Sequence, residues 1–180
     1  MILYIADANL CCFFTRYDRT GAELVATGGA DATVKVWNTS TGSLNAALKA
    51  GGSNAILSCD LNGNFLACGG SDKTCRIYDT RTHRMVHQLV GHGNKVTCVR
   101  FFDNEKKIIT TSADRRMKVW DISKKTYRQM KSIHLNSTAN SIDVSFDATT
   151  VLSGHVDGGI RVWSIQTGQP SVEIERTYAM

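Results

Sequence analysis

A chain of 180 residues that is 42% hydrophobic can bury a sizeable core and is too apolar for a disordered segment. Its net charge of +5 is spread along the sequence, which fits a solvated surface of mixed sign and argues against a basic tail for nucleic acid or anionic lipid. The opening stretch MILYIADANLCCFF contains Asp7, lacks a basic flank and is short for a bilayer, so it reads as neither a signal peptide nor a membrane helix.

In chain order, residues 1–9 read as the outer strand (Ile2–Ile5) of a preceding or closing unit. Residues 10–50 form the first full unit. It has a strand at Leu10–Phe14, the turn DRTG, a strand leading through LVATGG to Asp31, an alternating strand up to Trp37, the turn NTSTG and a strand at Leu44–Lys49. Residues 51–91 repeat this, with a strand at Ala55–Leu61, Asp72, Tyr78 and an outer strand at Met85–Val90. Residues 92–133 repeat it again, with Val96–Phe102, Asp114, Trp120 and Tyr127–Lys131. Residues 134–180 are the fourth copy, with Ser141–Phe146, Asp157, Trp163 and Ser171–Ile174, and Pro170 where an outer strand can begin without its N–H.

The aspartates recur about every 40 residues, the period of a repeated supersecondary unit of four short antiparallel strands. Val34 and Val36, Cys75 and Ile77, Met117 and Val119, and Ile160 and Val162 share one strand face. Lys35, Arg76, Lys118 and Arg161 share the other face with the aromatic residue, where their stems can lie along the ring.

Period, strand count and the dipeptides Gly91-His92 and Trp120-Asp121 resemble the WD40-repeat family, from residue 10 to about 175. Trp37-Asn38, Tyr78-Asp79 and Trp163-Ser164 are drifted versions of the second dipeptide. The resemblance implies an all-β fold, a β-propeller of about four blades of four antiparallel strands. Members commonly have more blades, so a truncated product of a longer propeller protein is favoured over a four-bladed closure or a two-chain assembly. The resemblance also implies a structural lock in the third blade. Asp114 accepts from His92, His92 contacts Thr110, and Thr110 meets the Trp120 indole. Asp31 with Trp37, Asp72 with Tyr78 and Asp157 with Trp163 are the signature residues of the other blades. His134 reads as a degenerate counterpart of His92, and His155 as a turn residue.

Histidine, hydroxyl and carboxylate invite a hydrolytic reading. No GxSxG elbow accompanies them and the set recurs as a fold element, so no catalytic residue is assigned and the chain is not read as an enzyme. His83 and His87 fall in turn and strand, and no CxxC or finger-spaced Cys/His pair occurs. No metal, cofactor or small-molecule substrate is therefore read. The six cysteines read as reduced thiols of a cytoplasmic protein.

The remaining function is binding. In the family the residue before each aspartate, here Ala30, Ser71, Ala113 and Val156, points to the loops at one end of the blades. Asn54, Asn94 and Asn140 each stand two residues ahead of a β-branched residue, and they either shape the turn or line a polar peptide-binding rim. The candidate binding face is Asn54, Ser71, Asn94, Asn140 and Val156.

Within the family, ATGGADATVKVW, SDKTCRIYDTRTHRMVHQLVGH, SADRRMKVWD, SGHVDGGIRVW and the GGSNA that replaces a GH are most similar to the C-terminal propellers of the autophagy-related protein sixteen subfamily. That implies a protein–protein scaffold supporting autophagosome assembly and the ubiquitin-like lipidation machinery. The implied partners are the autophagy conjugation complex and cargo or membrane-linked receptors. The implied location is the cytoplasm and the periphery of the forming autophagosome membrane. Two alternatives stand beside it. Tyr78-Asp79-Thr80-Arg81 is near the W-D-x-R box of substrate receptors for cullin ubiquitin ligases, and the +5 charge would suit an RNA- or ribosome-associated WD40 factor.

Overall fold

The period-2 alternation around each aspartate resolves into sixteen strands in the computed structural model, which describes residues 12–17 (backbone), 23–49, 54–104, 106–123 and 126–174. They form four separate antiparallel sheets, each a meander in chain order. Blade 1 holds β1 (Cys12–Tyr17), β2 (Leu24–Gly29), β3 (Thr33–Asn38) and β4 (Leu44–Lys49). Blade 2 holds β5 (Ile56–Asn62), β6 (Phe65–Gly70), β7 (Cys75–Asp79) and β8 (Arg84–Leu89). Blade 3 holds β9 (Val96–Phe102), β10 (Lys107–Ser112), β11 (Arg116–Asp121) and β12 (Arg128–His134). Blade 4 holds β13 (Ala139–Val144), β14 (Thr150–His155), β15 (Ile160–Ser164) and β16 (Pro170–Ile174). The fold is all-β, an array of propeller blades.

Three strands depart from the sequence pattern by two residues or more, among them the third outer strand, which runs Arg128–His134 rather than Tyr127–Lys131. The first inner strand runs Cys12–Tyr17 rather than Leu10–Phe14; Leu10, residues 1–9, 51–53 and 175–180 lie outside the described residues. The fourth runs Ala139–Val144 rather than Ser141–Phe146. Phe146 falls in a tight turn, where Asp147 accepts from the Thr149 amide at 3.2 Å and the Ser145 hydroxyl at 2.6 Å.

The second, third and fourth blades each pack on the one before, with the inner strands β1, β5, β9 and β13 as the main points of contact. Each seam has its own apolar cluster. Val34, Val36 and Leu48 meet Ile56, Leu66 and Tyr78; Cys75, Ile77 and Leu89 meet Val99, Ile108 and Trp120; Met117, Val119 and Ile133 meet Ile142, Val151 and Trp163. Polar bolts cross the seams as well. Ser58 and Asp60 of β5 accept the Val99 and Phe101 amides at 3.1 and 2.8 Å, and the Thr97 hydroxyl donates to the Ala139 carbonyl at 2.6 Å. Among the described residues no helix is long and apolar enough to cross a membrane.

Candidate interaction face and blade locks

The aspartates first of all build turns. In all four blades an aspartate Oδ1 accepts the amide two residues on: Asp31 from Thr33 (3.1 Å), Asp72 from Thr74 (3.3 Å), Asp114 from Arg116 (2.9 Å) and Asp157 from Gly159 (2.9 Å). The residue between them is left-handed, at Ala32, Lys73, Arg115 and Gly158. The aspartate bond holds this conformation, which costs a β-carbon-bearing residue energy, at three non-glycine positions.

Blade 3 adds a side-chain chain of hydrogen bonds. The Trp120 indole donates to Thr110 Oγ1 at 2.9 Å, and Thr110 Oγ1 lies 2.8 Å from His92 Nε2. The one Thr110 proton goes to Nε2, which makes Nδ1 the protonated nitrogen, donating to Asp114 Oδ2 at 2.9 Å. The Gly93 amide reaches the same carboxylate oxygen at 2.8 Å. Burial pushes the His92 pKa below its usual 6.5, and this outweighs the pull of Asp114 in the other direction. Burial raises the Asp114 carboxyl, but the Gly93 amide, His92 and the Arg116 amide bring it below 3.8. Thr110 is fully buried and its oxygen is taken up by the indole, so it has no approach to a substrate carbonyl and the arrangement is a structural lock. Lys118 lies 5.7 Å over the Trp120 ring while donating to the Gly91 carbonyl at 2.8 Å.

Blade 4 achieves a similar lock by another route. The Trp163 indole donates to Ser153 Oγ at 2.8 Å, and Ser153 contacts Nε2 of His155 at 2.7 Å. His155 Nδ1 donates to the Ser137 carbonyl at 3.0 Å rather than to Asp157. His134, the counterpart expected from spacing, is exposed at the end of β12, with Nδ1 3.3 Å from the Arg115 carbonyl. The residue that fills the histidine role, His155, lies on the same strand as the serine and not in the turn expected for it; the S-x-H spacing, which puts both on one strand face, is the signal for it. Asp157 instead pairs with Arg161 at 2.9 Å, which lowers its pKa to about 2.

The first two blades have shorter locks. Trp37 donates to Thr27 Oγ1 at 3.0 Å. In blade 2 the position of Thr27 is Cys68, a thiol that burial pushes up to about 12, and the Tyr78 hydroxyl reaches back to the Lys49 carbonyl at 3.2 Å. Thr27→Val should therefore strand a single, half-buried indole N–H and cost about 1 kcal/mol, read as a shift in the urea midpoint.

The other expected site residues lie where the turns meet the inner strands. The Ser71, Ala113 and Val156 amides donate to the Ala55, Lys95 and Thr138 carbonyls at 2.9, 3.0 and 2.9 Å. These bonds bring Asn54, Ser71, Asn94 and Val156 to one end of the blades, with Asn54, Asn94 and Val156 exposed. Asn94 shapes its own turn, its side chain accepting the Lys95 amide at 2.8 Å and its carbonyl the Ser112 hydroxyl at 2.9 Å. Asn140 does not join this row. It is the extra residue of a bulge between Ala139 and Ser141, so its register counterparts are Leu57 and Thr97, and Ser137 holds the position of Asn54 and Asn94.

Beside β12 and the turn before β16 lies a cleft of 610 Å³ whose lining includes Lys131, His134, Asn136, Trp163 and Pro170 and no carboxylate or cysteine. Among the described residues no group of three or more His, Cys, Asp and Glu could hold a metal ion.

Repeated four-stranded blades, each with an aspartate turn and an aromatic on the third strand, define a WD-type propeller array. The model of the WD domain, G-beta repeat, matches residues 10–38, 42–79, 83–121 and 127–164, and the chain belongs to the WD40 repeat family. It is 31% identical over 150 residues to Autophagy-related protein 16 of Arabidopsis thaliana, an overlap covering 82% of this chain and 29% of that protein. It is 33% identical over 150 residues to Protein tipD of Dictyostelium discoideum, covering 82% of this chain and 24% of that one. A guanine nucleotide-binding protein subunit beta-like protein of Encephalitozoon cuniculi is 33% identical over 111 residues, 59% of this chain and 33% of that protein. The chain thus spans a third or less of the length of these relatives.

Proposed function

We propose that the chain is a non-enzymatic protein-interaction scaffold serving autophagosome assembly, with the ubiquitin-like conjugation complex and cargo or membrane-linked receptors as its partners. The observation that carries the autophagy reading is the likeness to Autophagy-related protein 16 through 82% of the chain. The scaffold reading has physical support in the locks. Their hydroxyls, imidazoles and carboxylates hold one another and leave the exposed turn end as the surface for binding. The test is affinity purification of the tagged chain from cells in which autophagy has been induced. Conjugation-complex proteins should be enriched over a control WD array, and equal recovery from both would sink the reading. Val156→Glu and Asn54→Ala alter exposed side chains on this end, and each should weaken partner retention about 10-fold with no change in melting temperature.

For a ligase-receptor role, Arg81 has a 69% exposed side chain. Asp79 of the same box, however, accepts the Arg81 and Thr82 amides at 2.8 and 3.1 Å, the work of a local turn. Arg81→Ala should leave binding unchanged under the scaffold reading and abolish ligase-adaptor binding under the other.

A further inference from the structure

Each blade turns from its third to its fourth strand through a left-handed residue that stands two positions before the register partner of the aromatic: Gly42, His83, Tyr127 and Gly168. In blade 3 this residue closes the seam with blade 2. The Tyr127 ring stacks on His87 of β8 at 4.1 Å between centroids and packs on the apolar cluster there. In blade 4 the same position is Gly168, which meets the counterparts of His87 and Leu89. Lys131 lies opposite Val119 as His87 lies opposite Ile77, and Ile133 lies opposite Met117 as Leu89 lies opposite Cys75. A β-carbon at Gly168 would stand 3.2 Å from Ile133 Cγ1 and 3.6 Å from Lys131 Cδ. The seam between blades 3 and 4 therefore lacks the ring that covers its neighbour. The cleft of 610 Å³ lies at this place, with Lys131, Ile133 and Gly168 in its lining.

The cleft is held in shape and its charge is one-sided. Lys131 Nζ donates to the Ile165 and Gln166 carbonyls, which ties β12 to the turn before β16. The Trp163 indole is fixed by Ser153. Among the described residues β12 pairs with β11 alone, so its other edge is open to an extended chain. Arg116 Nη1 lies 3.5 Å from the hydroxyl of Ser132, another residue of the lining. Among the described residues neither Lys131 nor Arg116 forms an ion pair, and no carboxylate lines the cleft.

We propose that this cleft docks an extended acidic segment of a partner protein, which inserts a tyrosine or phenylalanine ring where Tyr127 sits in the neighbouring seam. The ring lies along the Lys131 stem and Ile133, as Tyr127 lies on His87, and the flanking carboxylates meet Lys131 and Arg116. The volume falls within the range of about 300–1,000 Å³ in which pockets hold a buried anchor. The site is on the flank of the array, apart from the turn end at Asn54, Asn94 and Val156, and it does not depend on the partners being those of autophagosome assembly.

The test is fluorescence anisotropy of a labelled, end-capped peptide, a tyrosine between runs of glutamate, titrated with the whole 180-residue chain. Binding should saturate with a Kd of about 100 µM or tighter. Alanine in place of the peptide's tyrosine should weaken it about 10-fold. Gln169→Glu sets a carboxylate in the exposed lining at constant shape, and should weaken the peptide about 10-fold with an unchanged melting temperature. Gly168→Tyr supplies a ring from the chain itself, in a left-handed turn that Tyr127 already tolerates, and should remove binding. A titration that does not saturate overturns the proposal. Equal binding of the alanine peptide reduces the effect to plain charge attraction and overturns it too, and binding that ignores Gln169→Glu places the peptide elsewhere. The readout is a synthetic peptide on the purified chain, so its failure is distinct from a failure to enrich conjugation-complex proteins from cells.

Discussion

Gly69→Ala should lower stability by about 2–3 kcal/mol, an unusual cost for one methyl group. A β-carbon at this position would stand 2.5 Å from Cγ1 of Val96 and 2.8 Å from Cγ2 of Val99 across the seam between blades 2 and 3. Carbon atoms settle at roughly 3.5–4 Å, so one side must move. Neither valine can turn aside easily: both are β-branched and fully buried, and the β9 backbone is bolted to β5 through Ser58 and Asp60. The seam between blades 3 and 4 shows that glycine is a matter of fit here and not of backbone conformation. There the register counterpart of Gly69 is Thr111, and the counterpart of Val96 is the smaller Ala139. Val96→Ala should therefore recover part of the loss in a Gly69→Ala, Val96→Ala double variant, which neither shortening nor lengthening alone would achieve. Urea unfolding with a constant slope is the measurement; a Gly69→Ala midpoint equal to wild type would refute the fit argument.

The blades were legible because two periods reinforce each other: alternation within a strand and the aspartate about every 40 residues. In each blade the third strand begins two or three residues after the turn-forming aspartate and ends one residue past the aromatic, so the aspartate and the aromatic bracket it. What failed was counting by fixed offset. Ile142 holds the register position of Cys59 and Val99, whereas Ile56 and Val96 correspond to Ala139, so counting two residues back from Ile142 lands on the bulge residue Asn140 and not on Ser137. Spacing points to His134 and away from His155 because the family pattern takes its histidine from the preceding loop. The physics only requires an imidazole nitrogen near the serine, and the strand supplies one two residues away. The left-handed turn residues were also hidden, since Ala32, Lys73 and Arg115 carry none of the glycine signal that usually marks such positions.

Thr110→Val should cost about 3 kcal/mol, because one nearly isosteric change removes a partner from two buried groups at once. The Trp120 indole loses its acceptor and His92 Nε2 loses its donor, whereas Thr27→Val in blade 1 affects one half-buried group. The order of the two losses is the informative result; equal losses would mean that the His92 arm of the lock contributes nothing. The same lock sets a pH dependence. Burial lowers the pKa of both His92 and His155 below 6.5 in the folded chain. Between their folded values and 6.5 the unfolded chain binds more protons, so stability is complete above pH 6.5 and falls as the pH falls through that window. Asp114 and Asp157, also lowered, add a second loss below 3.8. Replacing both histidines with glutamine should reduce the slope of stability against pH in the interval below 6.5 and above the carboxylate range, and leave the carboxylate-dependent loss at lower pH in place. A double variant whose slope in that interval matches the wild type would show that the buried imidazoles do not govern it.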